Sequence, residues 1–279
     1  MPRTLGDSFI HISDIDYIVE ADTPLIELPP AGISEVERAI GKNCASLIED
    51  GDTLQLGIGA IPDAVLGFLK EKKDLGIHSE MISDGIVELY EGGVITNRRK
   101  SLHAGKSIVT FLMGTRRLYD FADNNPAVEL HPVDYVNDPY VIAQNERLVS
   151  VNSCVQVDLM GQVVSASVGR RQISGVGGQV DFVRGANMSR GGKSIMAMPS
   201  TAAEGRISKI VPVIGEGAAV TTSRYDADYI VTEYGAARLK GESLRNRAKK
   251  LIRIAHPDFR RMLAEEYEKR FREAWSDDE

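Results

Sequence analysis

A chain of 279 residues, 43% of them hydrophobic, holds enough apolar material for one large or two modest domains with a real core. The net charge of −7, a pI near 5.4 and no basic run beyond Lys249, Lys250, Arg253, Arg260 and Arg261 argue against a nucleic-acid partner. No stretch approaches the roughly 18 consecutive apolar residues that would span a bilayer, so no membrane partner is expected. The opening MPRTLGDS also lacks the apolar core of a signal peptide. Cys44 and Cys154 stand far apart without metal-like neighbours, which suits a reducing cytoplasm and argues against a disulfide framework or a zinc site.

Residues 1–33 read as an extended lead-in. Phe9-Ile10-His11-Ile12 and Tyr17-Ile18-Val19 alternate as strands do, before the turn at Leu28-Pro29-Pro30. A strand-like opening without a nearby partner is expected to pair with something upstream. From Ser34 the pattern turns helical: Ser34 is a candidate cap, Glu37 follows three residues on, and Val36, Ile40, Cys44, Leu47 and Ile48 share a face. This helix is expected to reach about Glu49.

Thr53-Leu54-Gln55-Leu56 reads as a short strand that runs into Gly57-Ile58-Gly59-Ala60 and then an apolar helix with Pro62 in its first turn. A strand, a glycine turn and a helix start are the parts of an anion-binding βα loop. The same parts also serve as a tight turn that lets the helix pack. GIGAIP lacks the third glycine of the dinucleotide fingerprint, so a nicotinamide site is disfavoured.

The stretch Gly76 to Gly85, GIHSEMISDG, places Glu80 where a short strand ends and a helix is about to begin, at the kind of junction where open α/β sheets form crevices. A glutamate there suits a nucleophile, a general base, a helix-start charge or a surface residue, and helix dipoles make the bland readings common. His78, two residues earlier, is a candidate for orienting the site. Residues 106–114 read as a buried strand and the stretch from Arg116 to Asn124 as a helix, so strands and helices alternate as in a parallel, helix-covered sheet. Residues 128–165 read as strands and turns, including Tyr135-Val-Asn137-Asp-Pro139, with a hairpin over Met160-Gly161.

Gly175-Val-Gly177-Gly178 clusters three glycines whose backbone N–H groups suit a phosphate or a developing oxyanion. A polar run with Arg184, Asn187 and Ser189 follows, then the apolar strand at residues 194–198. Together GIHSEMISDG, GVGGQVDF, VNDP and VTEYG (Val231 to Gly235) resemble the acetyl-CoA hydrolase/transferase family of CoA-transferases, most closely its 4-hydroxybutyrate and butyrate branch. The likeness runs from Pro2 to about Arg270, with the four motifs in the family's order.

The resemblance implies an α/β fold of the CoA-transferase (NagB/RpiA-like) kind: an open, mostly parallel sheet flanked by helices, with some antiparallel hairpin additions. It implies that Glu80 is the nucleophile and that Gly175, Gly177 and Gly178 line the acyl-CoA site and donate to the thioester oxygen. Asn137 is then expected near the carboxylate substrate, and Gly57 and Gly59 over the reacting carbonyl. No permanent cofactor and no metal is implied; coenzyme A enters as substrate. The partners implied are acyl-CoA, a short carboxylate, further copies of the chain and an N-terminal half that family members carry. On this reading residues 1–33 are an interdomain segment, residues 34–275 the C-terminal domain and residues 276–279 a disordered tail. The chain alone is expected to fold with little activity. Hydrolysis of acyl-CoA and a non-catalytic binding or assembly role are the alternatives.

Among other polar residues, His11, His103, His131 and His256 read as ordinary loop or surface histidines, and Asp84, Glu88 and Glu91 as helix-start and solvent-face charges. Glu233 reads as a cap for a helix starting at Ala236, with a substrate role as the lesser alternative. Arg224 is placed for a CoA phosphate or for water alone. Phe259, Met262, Leu263, Tyr267 and Phe271 predict an amphipathic helix from Pro257.

Overall fold

The computed structural model describes residues 1–276; the disordered-tail expectation falls on residues 277–279, outside the described residues, apart from Ser276, which is exposed and belongs to no regular element. The lead-in supplies one strand, β1 (Leu5–Gly6), and a 3-10 turn at Ile12–Asp14, while the runs at Phe9 and Tyr17 form no strands. Phe9, Ile10, Tyr17, Ile18 and Val19 are exposed, because alternation alone does not hold a strand that has no edge to pair with. The segment folds back near its end: Leu28 N–H donates to Gly114 O (3.0 Å) and Tyr119 Oη to Ile26 O (2.9 Å).

Helix α1 (Glu35–Ala45) begins as the sequence predicts, with Glu37 N–H donating to Ser34 Oγ and the Glu37 carboxylate accepting the Ser34 N–H (2.8 Å). It stops short of Glu49. β2 (Thr53–Leu56) and α2 (Ala60–Gly67) flank the first glycine turn. A Cβ at Gly41 would lie 2.7 Å from that of Ala64, so glycine is what lets α1 and α2 approach. β3 (Gly76–Ile77), β4 (Met81–Ile82) and α3 (Asp84–Glu91) follow. The single strand expected over residues 106–114 is two, β5 (Ser107–Val109) and β6 (Phe111–Leu112), because the chain changes sheet at Thr110.

After α4 (Arg116–Ala122) and β7 (Val128–Leu130), the expected strands and turns give way to two short helices, α5 (Val133–Val136) and α6 (Pro139–Ala143). Proline at the first position of α6, with the Asp138 carboxylate accepting Tyr140 N–H (2.8 Å), is a helix start rather than a turn between strands. β8 (Leu148–Ser153) leads to β9 (Gln156–Asp158) and β10 (Val163–Val164), the hairpin predicted over Met160-Gly161. β11 (Ser167–Val168) and β12 (Arg171–Gln172) form a second hairpin. The polar run is then a helix, α7 (Gln179–Met188), which buries Phe182, Val183 and Ala186 on one side.

β13 (Lys193–Ala197), β14 (Thr201–Ala202), β15 (Ile207–Ser208), β16 (Ile210–Val211) and β17 (Tyr229–Thr232) follow. Where a helix was expected at Ala236, the chain forms β18 (Gly235–Arg238), antiparallel to β17. α8 (Leu244–Arg253) and the predicted helix α9 (Pro257–Phe271) close the chain.

The main sheet runs β18-β17-β13-β8-β2-β3, parallel throughout except at β18. The expected α/β class with a parallel-dominated, helix-flanked sheet is therefore what the chain adopts. One apolar core joins Leu54, Val151 and Ile195 to α1, α2 and α3, and a second joins Met196, Ile230, Leu251 and Tyr267 on the other face. Neighbouring positions Ile195 and Met196 thus serve opposite cores, as strand alternation requires. No described helix is long and apolar enough to cross a membrane.

Candidate functional site

Glu80 lies between two short strands, β3 and β4, rather than directly at a helix start; α3 begins four residues later. Extended pairing continues through it. His78 N–H donates to Leu54 O (3.1 Å), Ser79 N–H to Ile108 O (3.0 Å), and Glu80 O accepts from Thr110 and Phe111 N–H (2.9 and 3.1 Å). The backbone of residue 80 is thereby fixed, and its partly buried side chain leans into an open cleft of about 330 Å³ at the carboxyl ends of β2 and β8.

Gly178 N–H donates to Glu80 Oε2 across 3.1 Å. Gly178 caps α7, so the carboxylate meets the positive end of a ten-residue helix, where free N–H groups and the dipole favour negative charge. Gly177 turns the loop at φ 58°, in the left-handed region open to glycine. Gly175, Gly177 and Gly178 all line the cleft, as does Gly57. Gly59 does not: it caps α2 at φ 109° and borders the neighbouring, more apolar cavity, about 300 Å³ in volume.

Asn137 directly follows α5 and is buried beside the same glycine. A Cβ built at Gly178 would collide with the Asn137 carboxamide and lie 2.5 Å from Glu80 Oε2. Three side groups thus converge: a carboxylate, a carboxamide and a helix-terminal amide. The Asn137 Oδ1 is buried with no hydrogen-bond partner among the described residues.

His78 is fully buried, and its Nε2 bonds to Val136 O (2.9 Å). Burial and the nearby Lys100 ammonium push its pKa down to about 3, so the ring is neutral. Lys100 is itself buried, donating to Ile77 O and Lys106 O (2.7 Å each), and burial lowers its pKa to about 7. His103 and His131, read as ordinary, join a ring cluster with Tyr135, whose hydroxyl lies 2.6 Å from His103 Nε2.

Two cleft residues escape sequence reasoning. Gln55 and Asn152 exchange reciprocal amide bonds (3.2 and 3.0 Å) across β2 and β8. Their signal is an amide side chain near the carboxyl end of a buried strand, on the edge where α/β sheets hold ligands. Glu233 caps no helix; it accepts from Ser200 N–H (2.8 Å) and Oγ (2.6 Å). Arg224 is not among the cleft-lining residues and stacks 5.5 Å over Tyr225. Asp84 is more than a helix-start charge, since it accepts from Thr115 N–H and Oγ1 (2.8 and 2.5 Å). Among the described residues no three His, Cys, Asp or Glu side chains converge as a metal site.

The site is a glutamate held against a helix N-terminus at the carboxyl edge of a parallel α/β sheet, the edge where such sheets hold ligands. Residues 114–267 match the family model described as acetyl-CoA hydrolase/transferase C-terminal domain, and the chain belongs to that family. It is 69% identical over 271 residues to the 4-hydroxybutyrate coenzyme A transferase of Clostridium kluyveri, covering 97% of this chain and 63% of that protein. It is 44% identical over 278 residues to the butyryl-CoA:acetate CoA-transferase of Anaerostipes caccae, covering 96% of this chain and 62% of that relative. The crystal structure of a 4-hydroxybutyrate CoA-transferase from Porphyromonas gingivalis superposes with a TM-score of 0.87 at 51% identity, over 97% of this chain and 64% of that one. The chain thus spans less than two thirds of the length of each of these relatives.

Proposed function

We propose that this chain is the nucleophile-bearing part of a CoA-transferase that moves CoA between an acyl-CoA and a short carboxylate, with acetate, butyrate and 4-hydroxybutyrate as candidates. The observation that carries this reading is the Glu80 carboxylate held 3.1 Å from the Gly178 amide inside an open cleft. The names of the relatives support the substrate class. The two cysteines are free and buried, which fits the reducing cytoplasm proposed as the compartment.

Glu80 attacks the thioester carbonyl, and CoA leaves as thiolate, giving a mixed acyl-glutamyl anhydride. The thiolate then attacks the glutamyl carbonyl and expels the acyl carboxylate, leaving a glutamyl-CoA thioester. An incoming carboxylate attacks that thioester and expels thiolate again; the thiolate takes the new acyl group and frees Glu80. No net proton is needed and no water enters. A carboxylate is a weak nucleophile, so close positioning and fixed donors must supply the rate. We assign Gly178 N–H and the Asn137 carboxamide to the oxyanion that forms on the Glu80 carboxyl, and Gly175, Gly177 and Gly57, which line the cleft, to the approach of the thioester.

The active form is proposed to include the N-terminal half and further copies of the chain, with the chain alone nearly inactive. Mass spectrometry after incubation with acyl-CoA tests the reading, on the chain complemented with a relative's N-terminal half. A CoA thioester on the peptide containing Glu80 is expected, converted by borohydride to the alcohol or by hydroxylamine to the hydroxamate at Glu80 with release of CoA. Turnover without that adduct overturns it, and turnover that needs no added carboxylate marks a hydrolase instead.

A further inference from the structure

The nucleophile and Asn137 come from different elements, and one buried bond joins those elements. His78 sits two residues before Glu80 in the same extended segment, and its ring reaches the carbonyl of Val136, the last residue of α5. A carbonyl only accepts, so Nε2 carries the proton and donates it. The peptide that precedes Asn137 is then held at both ends. Its oxygen accepts the hydrogen bond from His78 Nε2–H, and its N–H donates to Val133 O (2.9 Å).

A four-residue helix has few internal bonds to hold its own end: Val133 O and Tyr135 O are met by the N–H groups of Asn137 and Asp138, and Val136 O, its last carbonyl, is met by His78. The His78 ring is itself fixed, fully buried against Phe182 of α7 with ring centroids 6.2 Å apart. One imidazole therefore touches the Glu80 segment, the Asn137 helix and the helix whose terminus holds the carboxylate.

We propose that His78 is a positioning residue that sets the distance between the Asn137 carboxamide and the Glu80 carboxylate through the Val136 carbonyl, without touching substrate. The inference rests on the proposed transferase reading. The ring acts as a spacer and donor, and its ε position is the one that matters. His78→Gln keeps a donor at that reach, His78→Phe keeps the shape without a donor, and His78→Asn keeps a donor too short to reach.

The test is CoA exchange in the complemented enzyme, together with the Asn137 side-chain amide resonances of the chain. His78→Phe is expected to lower kcat by about 30- to 100-fold while KM for acyl-CoA stays within about 3-fold, with His78→Gln close to wild type. In an Asn137→Ala background the same His78→Phe change is expected to cost less than about 3-fold, because its route of action is already gone. Should His78→Phe not fold, His78→Asn in both backgrounds gives the same reading. Asn137 resonances unmoved by His78→Phe or His78→Asn overturn the proposal whatever the activity, as do fully additive losses in the double variant. A wild-type enzyme that forms no Glu80 adduct refutes the transferase reading instead, and the resonances still decide the role of His78.

Discussion

Gly178 donates its backbone N–H to Glu80 Oε2 across 3.1 Å, joining residues 98 positions apart in sequence. The bond is donated by a helix terminus, and among the described residues no lysine or arginine forms an ion pair with this carboxylate. Both oxygens keep lone pairs free for attack.

The same pair sets a steric requirement at residue 178. Gly178 has φ −81°, so alanine is tolerated by the backbone, but the methyl would collide with Asn137 and Glu80. Gly178→Ala is expected to lower kcat by on the order of 100-fold through displacement of the carboxylate. Gly175, where a Cβ meets nothing within 4 Å, provides the contrast: Gly175→Ala is expected to leave folding unchanged. Exchange kinetics and thermal unfolding of the two variants check this.

Glu80→Gln keeps the size of the side chain and an acceptor for the Gly178 N–H while removing the nucleophile. Exchange is expected to fall by about a thousandfold or more, with no adduct in the mass spectrum and an unchanged unfolding midpoint.

His78 gives a pH dependence whose sign follows from burial. The folded ring has a pKa of about 3 against an ordinary 6.5, so between these values the unfolded chain holds a proton that the folded chain does not. Stability therefore rises with pH across that window, is complete above 6.5 and is lost as pH falls toward 3. Urea midpoints at pH 7 and pH 4 measure the loss. His78→Gln, which does not titrate, is expected to show a smaller difference between them.

At the start of α1, Ser34→Ala removes one half of the capping box and is expected to cost about 1 kcal/mol, read by urea unfolding. Activity per folded molecule is expected to stay unchanged, because Ser34 is not among the cleft-lining residues.

How much of this was legible depends on how local each cause is. The Ser34 cap, the βα unit at residues 53–67, the Met160-Gly161 hairpin and helix α9 follow from neighbours in sequence, and all form. Helix α7 was not legible because its polar residues outnumber the Phe182, Val183 and Ala186 face that packs it. Ala236 and Ala237 suit a helix, yet the free edge of β17 captures them as a strand, so tertiary pairing overrides propensity. Glu80 and the glycine loop stood out from their own setting, a strand end and three clustered glycines, while their roles and that of Asn137 came from motif resemblance. The Gln55–Asn152 pair and the His78–Val136 bond join distant segments that no local pattern connects.

The sheet order β13-β8-β2-β3 has a kinetic consequence. Glu80 follows β3 and Gly178 precedes α7 and β13, so two strands, β2 and β8, stand between the halves of the site. Pairings between strands so far apart in sequence are entropically slow to nucleate. The carboxylate is therefore expected to meet its helix only after those strands have docked, which would place the completion of this cleft among the last events as the polypeptide collapses.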